Sequence, residues 1–172
     1  KSLGISTLFN TLGPLLSPGR PEYQIMGIAN PALGQTIAET MRELGRGRAM
    51  IVHGSGTDEI AVHGPTEIWE LDRQGNIEYY TVEPSDFGLP TYTLTDLEGG
   101  NGDENAAAIR AIFDGTAPDA HRDAVAATAG AMFYLYGEAP DFKAGTERAL
   151  QLLNDGTVRD WLSTHEGANY AL

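Results

Sequence analysis

The residues best suited to chemistry sit together in the stretch His53-Gly54-Ser55-Gly56-Thr57-Asp58-Glu59. Two neighbouring carboxylates supply hard oxygens, the donors Mg²⁺ accepts while keeping water and phosphate oxygens as its other ligands. Glycines beside them let the backbone come close to a ligand and turn its N–H groups outward. The same Asp-Glu pair also reads as a solvated turn, since acids are common on surfaces. Other candidates are weaker. Ser55 follows an apolar run, but the five-residue Gly-x-Ser-x-Gly elbow of serine hydrolases is absent. His53 and His63 stand ten positions apart, which matches no metal-ligand spacing, and they read as partly buried polar residues. His121 falls near a helix start and His165 near the C-terminus, each without an evident partner in the sequence. There is no cysteine, which excludes disulfides, thiolate nucleophiles and cysteine metal sites. Neither a P-loop nor a G-x-G-x-x-G fingerprint occurs.

These residues need elements to hold them. Tyr23–Ile28 and Arg48–His53 are short, apolar and partly β-branched, as buried strands are. Between them Asn30 caps a helix with Pro31 at its first position, Leu33, Ile37, Met41 and Leu44 recur at helical spacing, and Gly45 stops it. Strand, helix and strand with short joints predict a βαβ unit with parallel strands. The acid loop then lies at the carboxyl end of the second strand, where ligands bind in open α/β sheets. Ile68–Leu71 and Ile77–Val82 alternate around Asp72-Arg73-Gln74-Gly75-Asn76, an antiparallel hairpin beside the parallel pair. Trp69, Tyr79 and Tyr80 read as its packing residues. Pro84 to Pro90 reads as a surface loop. Helices follow over Gly102–Phe113 and His121–Tyr136, then around Phe142–Leu153 and Val158–Leu162. The small-residue run Ala126–Ala131 lets a neighbour approach closely. Near the start, Thr7–Leu16 reads as a short apolar helix whose continuity Gly13-Pro14 breaks. The fold class is therefore α/β: a partly parallel sheet with a βαβ unit, an antiparallel hairpin and packed helices.

Composition narrows the class further. The chain has 172 residues, 41% hydrophobic and 20% charged, which suits one folded domain. Eleven basic against 24 acidic residues leave a net charge of −13. So acidic a surface offers no stripe for nucleic acid and no attraction to anionic membranes. No apolar run approaches the ~20 residues of a membrane span, and no signal-peptide core opens the chain. The expected location is the cytoplasm. The first residue is not Met, so the chain is expected to be a piece of something longer.

Many short motifs recur here in one order. They are Thr7-Leu8-Phe9-Asn10, Gly13-Pro14-Leu15-Leu16-Ser17-Pro18, Gln24-Ile25-Met26-Gly27, Val52-His53-Gly54, Thr57-Asp58-Glu59-Ile60, Gly64-Pro65-Thr66 and Asp86-Phe87-Gly88-Leu89, continuing through Gly99-Gly100, Glu104-Asn105-Ala106, Arg110-Ala111 and Arg122-Asp123-Ala124. In this series the chain resembles the C-terminal half of the anthranilate phosphoribosyltransferases, up to about Tyr136. The resemblance implies the nucleoside phosphorylase/phosphoribosyltransferase-like α/β domain, with residues 1–172 as its C-terminal part. It implies transfer of a phosphoribosyl group from phosphoribosyl pyrophosphate to anthranilate, in tryptophan biosynthesis, by a Mg²⁺-dependent glycosyltransferase that is a homodimer when intact. Asp58 and Glu59 match the family's metal ligands, and Gly13 and Pro14 match its corner beside the anthranilate channel. No residue of this chain is assigned a direct catalytic role.

The family's helical N-terminal domain and both of its donor-cradling loops are not in this sequence, and its anthranilate-binding Arg would precede Lys1. The isolated chain is therefore expected to be inactive and to self-associate through apolar surface meant for the other half. Ser17 and Thr128 stand where Asn is common in the family. Two other functions remain open at this stage, a related transferase acting like a pyrimidine-nucleoside phosphorylase and a folded fragment that catalyses nothing.

Overall fold

The computed structural model describes residues 13–16 and 19–165, which divide into two units between Glu83 and Pro84. The first unit is a four-stranded sheet ordered β1-β2-β3-β4, with β1 at Tyr23–Gly27, β2 at Arg48–Gly54, β3 at Thr66–Leu71 and β4 at Ile77–Val82. β1 and β2 run parallel with Tyr23 opposite Arg48, as the βαβ pattern requires. β3 is antiparallel to β2, with Ile51 opposite Trp69, and β4 is antiparallel to β3. The expected hairpin therefore joins the parallel pair directly. Its turn is set by Asp72, whose Oδ1 accepts from the Gln74 and Asn76 amides at 2.8 Å each.

The crossover between β1 and β2 is less uniform than the apolar spacing predicts. The Asn30 side chain does accept from the Ala32 amide, but it caps a single 3-10 turn at Pro31–Leu33. Helix α1 begins only at Gly34 and runs to Glu43. Ile37, Ala38 and Met41 pack from α1 onto Met26, Ala49, Ile51, Trp69 and Leu71 of the sheet. Gly45 (φ +74°) closes the helix left-handed. The Arg46 amide reaches the Met41 carbonyl at 3.0 Å and the Gly45 amide the Arg42 carbonyl at 2.9 Å, the paired bonds of a Schellman end.

The second unit holds the remaining helices: α2 at Gly102–Phe113, α3 at Asp119–Tyr136, α4 at Phe142–Asn154 and α5 at Thr157–His165. Asn101 and Glu104 start α2 by capping each other's amides. α3 begins two residues before the expected His121. The small-residue run works as expected: a Cβ on Gly130 would stand 2.5 Å from the Thr146 amide nitrogen, and one on Gly145 would stand 2.3 Å from the Gly130 carbonyl. Two helices in such contact bury backbone against backbone.

One expectation needs correction. Pro84 to Pro90 is not a surface loop: Pro84, Phe87 and Leu89 are buried, and the Phe87 ring stacks on Phe142 with centroids 4.9 Å apart. The turn signals there were real, but apolar side chains between them had a core to enter. Gly13, Pro14 and Leu15 are helical, and the chain turns at Leu16. Proline adopts helical φ readily and has no N–H to donate. The expected helix over residues 7–12, and Ser17, lie outside the described residues.

Candidate active site

The acid pair is built from the end of β2 outward. Gly54 and Thr57 bond reciprocally, Gly54 N to Thr57 O at 3.1 Å and Thr57 N to Gly54 O at 2.9 Å. Ser55 (φ +46°) and Gly56 (φ +90°) occupy the two corners. Left-handed backbone at both central positions is a type I′ turn, which follows the twist of antiparallel strands. A serine in that region is strained. Here Ser55 is held, its hydroxyl donating to the Pro65 carbonyl at 2.9 Å. That bond gives the serine a structural role, in keeping with the missing hydrolase elbow.

Beyond the turn, Ile60, Ala61 and Val62 are buried. The Ala61 amide donates to the Thr66 hydroxyl, itself buried on β3, at 2.9 Å. Asp58 and Glu59 thus project from a short exposed segment pinned on one side by a closed turn and on the other by three buried residues. Neither acid forms an ion pair among the described residues. The Glu59 carboxyl is pushed above the ordinary glutamate value, first by partial burial and then by the charge of Asp58. Both causes disfavour a second negative charge at this spot. A bound divalent cation would relieve them, and two carboxylates match the protein share of a Mg²⁺ shell. The donor set fits the ion.

His53 is buried and His63 half-buried. His53 Nδ1 lies 2.8 Å from the Ile28 carbonyl, and His63 Nε2 lies 3.4 Å from the Ser55 carbonyl. His165 does have a partner: its ring stacks on Trp161 at 4.3 Å, and Nδ1 lies 2.7 Å from the Trp161 carbonyl. One turn of helix separates the two, a spacing legible in the sequence. Among the hairpin aromatics Trp69 is buried, whereas Tyr79 is 54% exposed and covers Trp69 with its ring while donating to Glu67.

Gly13 and Pro14 are exposed, and nothing lies within 4 Å of the place a Gly13 Cβ would occupy. Their backbone is anchored by residues that sequence reasoning missed. Gln24 Nε2 donates to the Pro14 carbonyl at 3.3 Å, and the buried Arg46 donates to Leu15 O at 3.2 Å and Pro21 O at 3.3 Å. The only sequence hint of Arg46 was Gly45, whose cap aims the chain there. Gln24 lies near the amino-terminal end of β1 and Arg46 two residues before β2, whereas Asp58 and Glu59 follow the carboxyl end of β2.

The second unit carries a different polar cluster. Tyr92 donates to Asp123 Oδ2 at 2.7 Å, while Arg122 donates to Asp123 Oδ1 through Nε and Nη2 at 3.0 and 2.9 Å. A cavity of about 200 Å³ between α2 and α5, lined by Arg110, Phe113, Asp114, Arg159, Leu162 and Ser163, contains none of the candidate site residues. No helix among the described residues is long and apolar enough to cross a membrane.

Residues 1–159 match the family model described as "Glycosyl transferase family, a/b domain". The anthranilate phosphoribosyltransferase of Corynebacterium glutamicum is 63% identical over 171 residues, covering 99% of this chain and 49% of that protein. That of Shewanella baltica is 45% identical over 95% of this chain and 45% of its own length. The chain spans about half the length of the curated relatives it matches. Among solved structures, the Thermus thermophilus anthranilate phosphoribosyltransferase aligns with a TM-score of 0.85 at 34% identity, covering 94% of this chain and 47% of that one. A Saccharomyces cerevisiae variant with Mg bound aligns at 0.81 and 25% identity, covering 93% and 47%. The yeast protein in complex with 4-fluoroanthranilate aligns at 0.79 and 26%, with the same coverage.

Proposed function

This chain belongs to the glycosyl transferase family as its a/b domain, and from that premise we propose that it is the C-terminal part of an anthranilate phosphoribosyltransferase. The intact enzyme, a cytoplasmic homodimer on this reading, moves a phosphoribosyl group from phosphoribosyl pyrophosphate to anthranilate in tryptophan biosynthesis. The ribose C1–O bond to diphosphate breaks, and its electron pair leaves on the diphosphate. The anthranilate nitrogen supplies the pair for the new C1–N bond and then gives up a proton to solvent.

Negative charge gathers on the departing diphosphate in the transition state, so a stabiliser placed there lowers the barrier. Bound Mg²⁺ would supply that stabilisation as a Lewis acid. Asp58 and Glu59 would hold it, and the observation that carries the reading is their rigid, outward presentation by the Gly54–Thr57 turn and the buried Ile60–Val62 segment. The bare, exposed Cα of Gly13 admits a flat ring, and Pro14 fixes the backbone beside it, which supports this corner as a wall of the anthranilate site. Relatives at 63% identity that carry the anthranilate name favour this substrate over a pyrimidine nucleoside.

The test is loss of anthranilate fluorescence on adding donor and Mg²⁺ to the intact enzyme that contains this chain. Turnover is expected there. Changing Asp58→Asn and Glu59→Gln together should lower it by about a hundredfold, the scale on which one transition-state stabiliser is lost, with partial recovery at high Mg²⁺. The 172 residues alone should give no turnover, because positioning of the donor supplies much of the rate. Near-normal turnover in the double variant at low Mg²⁺ would reduce the acid pair to a surface turn.

A further inference from the structure

We propose that Gly27 and Gly54 are positioning residues for the acid pair: each is bare so that the backbone bearing Asp58 and Glu59 can lie directly on the ends of β1 and β2. The inference rests on reading those acids as metal ligands. A Cβ on Gly27 would stand 1.6 Å from the Asp58 carbonyl oxygen and 2.6 Å from its carbonyl carbon. A Cβ on Gly54 would stand 2.4 Å from the Glu59 carbonyl oxygen and 2.6 Å from the Ala61 nitrogen. Every one of these atoms is backbone, so no rotamer change can give way.

Neither glycine is there for its own conformation. Both lie in regular strand pairing, Gly27 opposite Val52 and Gly54 opposite Thr66, and neither has a left-handed φ. Gly56 (φ +90°) is the contrast, with open space where its Cβ would be. Glycine inside a strand weakens it and marks a close backbone approach. Gly27 pairs with Val52, and Gly54 is two residues beyond Val52, so all three point to one face of the sheet. The acid segment therefore crosses that face over two adjacent strand ends. A methyl group at Gly27 would have to displace the Asp58 carbonyl by roughly 1.5–2 Å to reach ordinary contact. Mg²⁺ demands near-ideal geometry at ~2.0–2.1 Å, so such a shift separates the carboxylates from a shared ion.

The experiment uses the intact enzyme and measures Mn²⁺ binding by the loss of its free electron paramagnetic resonance signal, with inorganic pyrophosphate as the probe ligand. Gly27→Ala and Gly54→Ala should each weaken Mn²⁺ binding at least tenfold. Gly102→Ala, at a position with open space, should leave it unchanged. Amide hydrogen exchange should rise over residues 55–61 only. If Asp58→Asn/Glu59→Gln abolishes Mn²⁺ binding while both glycine variants stay within twofold of the parent, the pair holds metal but the glycines do not place it. If the double variant itself stays within twofold, the metal reading fails and the positioning role with it. Exchange rising throughout β1 and β2 would make the glycines purely structural and overturn the proposal. Should Gly27→Ala fail to fold, Gly54→Ala, with its smaller overlap, decides by the same measurements.

Discussion

Removing the Asp123 carboxylate should cost the chain about 2–3 kcal/mol, an estimate that follows from its partners one at a time. Asp123 is 3% exposed. Its Oδ2 accepts from Tyr92 at 2.7 Å, and its Oδ1 accepts two bonds from Arg122 at 3.0 and 2.9 Å. In Asp123→Ala the half-buried Tyr92 hydroxyl loses a charged acceptor, worth about 1.5–2 kcal/mol. Arg122 adds less than about 1 kcal/mol, because its side chain is 32% exposed and keeps Asp119 at 3.0 Å. Melting should fall by about 5–10 °C for a chain of this size. Asp123→Asn should be nearly as damaging: both oxygens accept now, so the amide must turn its NH₂ toward a donor. Asp119→Ala removes an acid that is 71% exposed and should change stability by no more than about 0.5 kcal/mol. Thermal melts of the four proteins, parent and three variants, are the assay. Asp123→Ala melting with Asp119→Ala would refute the reasoning and make the cluster an ordinary surface network.

The Tyr92 phenol, pushed up to about 12 first by burial and then by its bond to Asp123, should be the last tyrosine to ionise. Its folded value exceeds the unfolded one, so the stability it adds is complete below about pH 10 and fades as pH rises toward 12; absorbance titration of tyrosinate, repeated on Tyr92→Phe, checks this. Gly34→Ala should destabilise by about 1–3 kcal/mol despite alanine's better helix propensity. Its Cβ would lie 2.3 Å from the Trp69 ring, and a lowered melting point with a red-shifted tryptophan emission would report the displaced core.

Local signals carried the fold a long way. Asn30, Gly45 and Asp72 stand at real boundaries, because caps and turns depend on single residues whose type is visible. The parallel pair was legible for the same reason, from two apolar runs around one amphipathic helix. What escaped was set by distance in the chain. Phe87 and Leu89 looked like part of a loop because their core partner, Phe142, lies more than fifty residues on. Nothing local to Arg46 announces that its guanidinium meets the carbonyls of residues 15 and 21. At the acid loop the residue types were visible, yet Ser55's left-handed backbone and its bond to Pro65 were not. Arg122-Asp123 carried the family resemblance without declaring its physical job, which needed Tyr92 from another segment.

The metal site proposed at Asp58 and Glu59 is tested by locating the divalent ion on the donor's diphosphate. Crystals of the intact enzyme grown with Mn²⁺ and phosphoribosyl pyrophosphate give its position by anomalous scattering. An anomalous peak is expected within ~2–2.3 Å of at least one carboxylate oxygen of this pair and of a diphosphate oxygen, lost in the Asp58→Asn/Glu59→Gln variant. A peak on the diphosphate but away from both acids, undiminished in that variant, would contradict it.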